Sequence, residues 1–521
     1  MIPLFSTEQI RNADKYAIEE LNIPGIALME NASLSVFNAI LKNYNPNADN
    51  AKIGVIAGKG NNGGDAFAVA RHFINAGFSV TVIFVGDKKE LKGDALINFT
   101  VLGRLINKVK NGKLYFYTSR NDLNKIKYSD FIIDGLLGTG AKGVLREPYK
   151  TVINYVNKLN AIKVAIDLPS GLNLETSTAT TMFHADLTVT LADLKAGLFY
   201  GKGYEYGGKI EKGSIGIGKE YFNNLSVTEY LIEPEDAFYG LPQKHKSLHK
   251  YSGGKVLAVV GSGNFIGAAS LVVQSLFQVG TGAVLLAFPK SIRNLIAPKI
   301  GDAVFSVYND DGKEYLSFQN VSELEAKIEW ADVLALGSGL GRNAETIEAI
   351  EVILQKYKSK KMVIDADAIY AVAEVGYAKF NLMNKILTPH HAEFAHLIGT
   401  SVTELQTEIL AYGKEFVEKT KSVLVLKGAP TIIFTPNGEA LINSAGNAGM
   451  AKFGTGDVLT GVIAGIISYS KNIEQSVISA VYLHSFAADL LLGKETEYGI
   501  TATKIKDNLP DAINFIRNSI I

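Results

Sequence analysis

The chain has 521 residues, 47% of them hydrophobic and 20% charged, which allows roughly two to four ordinary cores and argues against extended disorder. Lysine plus arginine and aspartate plus glutamate both number 52, and a net charge of zero argues against nucleic acid or a membrane surface as partner. Cysteine is absent, which excludes disulfides, cysteine-ligated zinc, iron–sulfur clusters and thiol nucleophiles and fits a reducing cytoplasm.

The opening stretch MIPLFSTEQIRNADKYAIEEL lacks the basic and apolar regions of a signal peptide and predicts an amphipathic helix, with Ser6 and Gln9 spaced as a capping box. KIGVIAG, SVTVIFVG, DFIIDGLLG, KVAIDLPSG and DLTVTLAD then read as short buried strands, with helical stretches such as DAFAVARHFINAGF between them. From Gly213 to Gly240 the pattern loosens. HKSLHKYSGGK opens a second series, with KVLAVVGSG, AVLLAFP, DVLALGSG, KMVIDAD, KILTPHH and SVLVLKG as strands. Alternating strands and helices predict the α/β class with mostly parallel sheets. Two domains are expected, residues 1–222 and 223–521.

In the first domain GKGNNGGDAF follows a strand and opens a helix. Gly58, Gly60 and Gly63 satisfy G-x-G-x-x-G, and Asp87 lies about where a ribose-binding acid would sit, so a dinucleotide-binding dehydrogenase is one reading. Asn61, Asn62 and Asp65 favour another, because a carboxylate in the first helical turn would repel a pyrophosphate while amide and carboxylate oxygens suit a cation or hydroxyl groups. Asp134 in DGLLGTGAKG, and Asp167 with Ser170 in AIDLPSGLN, stand at two further strand ends. Ligands of open parallel sheets collect at such ends, so the three loops are expected to share one pocket.

In the second domain Gly454 and Gly456 bracket Thr455, Asp457 follows, and an apolar helix begins. Backbone N–H groups there can hold the charge of a transferring phosphoryl group, and Asp457 can take a proton from the attacking hydroxyl. The competing reading makes Asp457 a helix cap.

These motifs carry two resemblances. GKGNNGGDAF, DGLLGTGAKG and AIDLPSGLN resemble the NAD(P)H-hydrate epimerase family over about residues 1–215. That resemblance implies a Rossmann-like three-layer sandwich. By match it assigns substrate contacts to Asn61, Asn62, Gly63, Gly64 and Asp65, to Gly138, Thr139, Gly140, Ala141, Lys142, Gly143 and Val144, and to Asp167. It also assigns potassium ligands to Asn62, Asp134 and Ser170. Ala66 stands where the family usually has glycine. The G-x-G-D signature, with HKYSGGK, GSGNFIGAAS, DADAI, TPHHAEF and LKGAPT, resembles the ribokinase-like ADP- or ATP-dependent NAD(P)H-hydrate dehydratases over about residues 235–515. It implies that Lys427, Gly428, Ala429, Pro430, Thr431 and Gly456 bind the nucleotide, brought with magnesium. Ala268, Gly339, His390 and Asp457 would touch the substrate, and Ala392 replaces a usual glycine.

Together the resemblances imply repair of hydrated NADH and NADPH. An epimerase interconverts the R and S hydrates, with Asp167 as acid/base and Lys195 as second candidate. A dehydratase then restores the S form to NAD(P)H at the expense of ADP or ATP, giving AMP or ADP and phosphate. A cytoplasmic homo-oligomer acting on small molecules, with no nucleic-acid or membrane partner, is expected. The alternatives are a small-alcohol kinase, of a vitamin precursor or sugar, and a first domain that only senses nucleotides. His391, His396 and Trp330 carry no functional expectation.

Overall fold

The structure, a computed structural model, describes residues 1–139 and 145–519. The chain divides into two compact units, Pro3–Val227 and Thr228–Ile521, with Met1 and Ile2 grouped with the second. Both are α/β, and no helix among the described residues is long and apolar enough to cross a membrane.

A short strand β1 (Ile2–Leu4) precedes the helix Thr7–Glu19, whose start is the expected capping box: Gln9 N donates to Ser6 Oγ at 3.2 Å and Ser6 N to Gln9 Oε1 at 2.9 Å. The first unit is then built on β2 (Lys52–Ala57), β3 (Ser79–Phe84), β4 (Gly112–Phe116), β5 (Phe131–Gly135), β6 (Ile162–Ile166), β7 (Leu187–Leu191) and β8 (Lys209–Gly213). All pair in parallel, in the order β4-β3-β2-β5-β6-β7-β8. Alternation along β2 sends Ile53, Val55 and Ala57 into one apolar core and Ile56 into another, so the sheet is covered on both faces. Sequence reading missed β4 and β8, the two edge strands. Their sequences, GKLYF and KIEKG, are mostly half-buried or exposed and lack an apolar run.

Strand order reverses between β2 and β5, the place where the loops after two neighbouring strands diverge and leave a crevice. The glycine loop follows β2, the Asp134 loop ends β5, and the Asp167 loop follows β6, so sheet topology gathers all three.

In the second unit the strands are β9 (Glu229–Leu231), β10 (Lys255–Val259), β11 (Ala283–Pro289), β12 (Val304–Tyr308), β13 (Val333–Leu336), β14 (Lys361–Ile364), β15 (Lys385–Leu387), β16 (Val423–Leu426), β17 (Thr431–Phe434) and β18 (Ala440–Asn443). From β16 through β15, β14, β13 and β10 to β11 and β12 the pairing is parallel, while β16, β17 and β18 form an antiparallel meander. The loosened stretch after Gly213 holds β9 and the short helices Lys219–Asn223 and Pro234–Tyr239.

The helix Thr455–Ser468 is buried from Val458 to its end, as an apolar sequence without a polar face requires. A Cβ on Gly461 would come 2.4 Å from Val272 O, and one on Gly465 would come 2.4 Å from Val279 Cγ2. These two glycines let the helix lie close against Ile266–Gln278, which fixes where its N-terminus points.

Candidate functional site

The first unit contains a cavity of about 690 Å³ at the strand ends. Asn61, Asn62 and Asp65 line it from the glycine loop and its helix, Gly138 and Thr139 from the second loop, and Asp167 from the third. The glycines work by close approach: a Cβ on Gly58 would lie 1.9 Å from Leu136 O, and one on Gly63 would lie 1.9 Å from Gly58 O. Gly140, Ala141, Lys142, Gly143 and Val144 fall outside the described residues. The helix runs Asn61–Asn75, so Asp65 is its fifth residue, beyond the first turn where sequence reading set it. Asp87 caps a local turn, accepting from Lys89 N at 2.9 Å, and does not line the cavity. Ala66 is fully buried, and a Cβ on Gly135 would come 2.4 Å from its methyl.

Asn62, Asp134 and Ser170 meet in one buried network. Asp134 accepts from Leu136 N at 3.1 Å, from the Ser170 hydroxyl at 2.8 Å and from Ser170 N at 2.8 Å. Leu137 O accepts from Asn62 Nδ2 at 3.0 Å and from Ser170 Oγ at 3.3 Å. Among the described residues no cation pairs with Asp134, and burial lifts its carboxyl to about 6 against the pull of those hydrogen bonds. A buried acid without a countercharge, among amide, hydroxyl and carbonyl oxygens, is a donor set that suits a hard monovalent cation.

Asp167 sits at φ +68°, a left-handed backbone that asparagine and aspartate tolerate better than most residues. Its Oδ1 accepts from Leu191 N at 3.0 Å and from Lys195 Nζ at 2.7 Å. The Lys195 ammonium is sealed from water and also reaches Thr190 Oγ1 at 2.9 Å and Leu191 O at 2.7 Å. All its donors are therefore occupied, which makes it a clamp on Asp167. Three more acids, Asp14, Asp65 and Asp94, line the same space. Asp65 is held well above the usual carboxylate range by burial, then by the charges of Asp167 and Asp14. Asp14, on the Thr7–Glu19 helix, is exposed where it lines the open cavity, and desolvation there with the Asp167 charge raises it to about 6, Lys195 opposing. Sequence reading passed over Asp14. Its signal was a carboxylate midway between Ile10 and Ile18, one turn from each, and all three line the cavity.

In the second unit Lys427, one residue beyond β16, reaches Asp365, one residue beyond β14, at 2.8 Å. Asp365 is almost fully buried and also accepts from Ser338 Oγ at 3.0 Å and Thr388 Oγ1 at 2.8 Å. Burial alone would raise its pKa, but Lys427 and these donors bring it below the usual value. Burial likewise works against the Lys427 ammonium, and Asp365, Glu393 and Asp457 together outweigh it.

Asp457 is the third residue of the Thr455–Ser468 helix, whose N-cap is Gly454 at φ +92°, so the cap reading fails. Burial and the neighbouring Asp365 charge push its carboxyl to about 7. A Cβ on Gly456 would lie 3.3 Å from Lys427 Nζ, which places the lysine at the start of the helix. Beneath, His484 is buried and lowered to about 4 by desolvation, hence neutral.

Of the other expected residues, Ala268 and Gly339 adjoin, a Cβ on Gly339 coming 3.0 Å from Ala268 Cβ. Thr431 Oγ1 donates to Gly428 O at 3.3 Å, folding Lys427–Thr431 into a tight turn that includes Ala429 and Pro430. His390 caps the His391–Ile398 helix, its Nδ1 accepting from Glu393 N at 3.1 Å, and its half-exposed ring stands in the loop whose Pro389 O accepts from Lys427 N at 2.8 Å. Ala392 is exposed on that helix.

Two families match the chain: one described as YjeF-related protein N-terminus, over residues 25–197, and one described as NAD(P)H-hydrate dehydratase, over residues 256–511. The bifunctional NAD(P)H-hydrate repair enzyme Nnr of Moorella thermoacetica is 32% identical over 99% of this chain and 98% of its own length. The Nnr of Archaeoglobus fulgidus is 34% identical over 95% of each. Among solved structures, the ADP/ATP-dependent NAD(P)H-hydrate dehydratase of Bacillus subtilis, co-crystallised with ATP and Mg²⁺, is 30% identical with a TM-score of 0.49, covering 55% of this chain and 98% of that one.

Proposed function

The chain belongs to the bifunctional NAD(P)H-hydrate repair enzymes, which join an epimerase to a nucleotide-dependent dehydratase, and from that premise we propose how its two sites divide the work. The observation that carries the reading of the second unit is Asp457, a carboxyl in the first turn of a half-buried helix start, with Lys427 at the same end.

There the hydroxyl oxygen of the S hydrate attacks the terminal phosphorus of ADP or ATP. Asp457 takes the hydroxyl proton, and the N–H groups of the helix start with Lys427 hold the charge on the phosphoryl oxygens. The ring nitrogen's lone pair then expels phosphate, and the neighbouring ring carbon gives up a proton to the departing phosphate or to solvent, which restores the dihydropyridine and leaves AMP or ADP. Lys427, Gly428, Ala429, Pro430, Thr431 and Gly456 bind the nucleotide, and Ala268, Gly339 and His390 hold the hydrated ring. Among the described residues no cluster of three acidic or histidine side chains forms a metal cage. Magnesium entering on the nucleotide's phosphates fits such a site, since it commonly takes only one or two carboxylates from the protein and neutralises phosphate charge.

In the first unit the cavity takes either hydrate. Asn61, Asn62, Gly63, Gly64, Asp65, Gly138 and Thr139 grip it, and Asp167 serves as acid/base with Lys195 holding its carboxylate in place. Asn62, Asp134 and Ser170, with Leu137 O, would hold potassium, whose charge offsets Asp134 and stiffens the loops around the pocket. The test is to give the protein hydrated NADH with ADP or with ATP, with and without potassium, and follow recovery of reduced-nicotinamide absorbance. Complete recovery from a mixture of epimers is expected, stalling near the S fraction when potassium is withheld. Accumulation of a stable phosphorylated product would make the chain a small-alcohol kinase instead.

A further inference from the structure

We propose that Asp14 is a catalytic residue of the epimerase site, the acid/base partner of Asp167. The inference rests on the reading of the cavity as the epimerase centre. Adding water to a reduced nicotinamide ring puts the hydroxyl on the carbon beside the ring nitrogen, because that nitrogen stabilises a cation there. This carbon inverts when the C–O bond is broken, with the ring nitrogen stabilising the cation, and remade on the other face. A group must protonate the departing hydroxyl, and another must take a proton from the incoming water. One carboxyl group must therefore be protonated while the other is ionised.

The cavity supplies such a pair. Asp167 is oriented by its ion pair, with Lys195 Nζ 2.7 Å from Oδ1. Asp14 lines the same cavity from a different element, the Thr7–Glu19 helix, and interacts electrostatically with both Asp167 and Lys195. Ile10 and Ile18 flank it with apolar surface, and the groups that face the space around it are Arg11 on its own helix, Lys59, Asp65, Asp94 and Tyr149, with Asp167 and Lys195 beyond. That carboxyl lies high enough to hold a proton below about pH 6.

The step balances. The ring nitrogen's lone pair forms the C=N bond as the C–O bond breaks, and the hydroxyl leaves as water with the proton of Asp14. Water then adds to the opposite face of the iminium, the electron pair returns to nitrogen, and Asp167 takes the proton released. One proton has passed from Asp14 to Asp167, water is conserved, and turnover in the other direction or exchange with solvent resets the pair.

The test is Asp14→Asn in the full chain, supplied with one separated hydrate epimer and no nucleotide, and read as the rate of appearance of the other epimer across pH. A loss of about 100-fold or more in kcat is expected, with KM changed only a few-fold. The fall in rate as pH rises through about 6 in the parent should vanish from the residue of activity. Asp14→Glu, which keeps the carboxyl, should recover part of the rate; a variant set in which Glu does no better than Asn overturns the role. Asp14→Asn retaining more than about a tenth of the rate, with the same pH profile, also overturns it. Asp167→Asn is run alongside: if it too leaves epimerisation intact, the cavity is not the epimerase centre and the underlying reading falls with the inference.

Discussion

The two sites solve opposite electrostatic problems. The first unit has a broad cavity with the carboxyls of Asp14, Asp65 and Asp167 at its walls, and its one buried ammonium among the described residues, Lys195, is turned into the protein. The second has a helix start with a lysine beside it and carboxyls knitted into that lysine. Where only water and a proton move, titratable acids suffice. Where an anion must be transferred, N–H groups and a cation must already be in place, because reorganising them during the reaction would cost rate. Both sites nevertheless lie at strand ends, the first where the sheet order reverses and the second beyond β14 and β16, since loops there can diverge without disturbing the sheet.

The comparison breaks most easily at Asp457. Asparagine keeps the shape at the third position of the helix but cannot take the proton, so dehydration should fall about 10²–10⁴-fold. ADP or ATP binding, melting temperature and epimerisation should stay near those of the parent. Retention of more than about a tenth of the dehydration rate would mean that another base acts.

Lys427→Met should come next. It strips a buried carboxylate, Asp365, of its only ion-pair partner among the described residues, and breaking such a pair costs about 3–5 kcal/mol. The thermal transition of the second unit should drop by many degrees and nucleotide affinity should be lost. Stability unchanged in a melt would show that Asp365 is solvated or protonated in the parent.

A gentler contrast lies in pH. Asp457 must be ionised to act as base, so dehydration should rise as pH climbs through about 7 and then level off. Asp14 must be protonated to act as acid, so epimerisation should decline through about 6, up to about tenfold per unit in each case. Parallel profiles for the two activities, measured on one preparation, would dissolve the distinction between the sites.

The smallest effect should follow from cutting the chain after Val227, the limit of the first compact unit. The Pro3–Val227 piece is expected to fold and epimerise with its melting temperature shifted by a few degrees at most; an insoluble fragment would show that the units depend on one another.

Much of this was legible in the sequence because glycine and proline mark strand ends and apolar runs mark central strands. KIGVIAG and KVAIDLPSG became β2 and β6 with the loops that follow them, and Asn62, Asp134 and Ser170, drawn from three distant segments, came together in one network. What stayed hidden lacked a local pattern. β8 was too polar to read as a strand, because half of it faces water. Asp14 lies in an amphipathic helix with no motif around it, and only its place beside the glycine loop makes it part of the cavity wall. The partnership of Asp365 with Lys427 depends on β14 and β16 lying on either side of β15, a matter of strand order that no spacing encodes.

Ala66 offers a last consequence, in the language of sequence drift. Its methyl faces Gly135, where an added Cβ would come 2.4 Å from that methyl and 2.8 Å from Asn62 O. Glycine is therefore the ceiling at position 135. A lineage that carries alanine at 66 should keep glycine there, and alanine or anything larger should be purged, whatever changes accumulate elsewhere in the pocket.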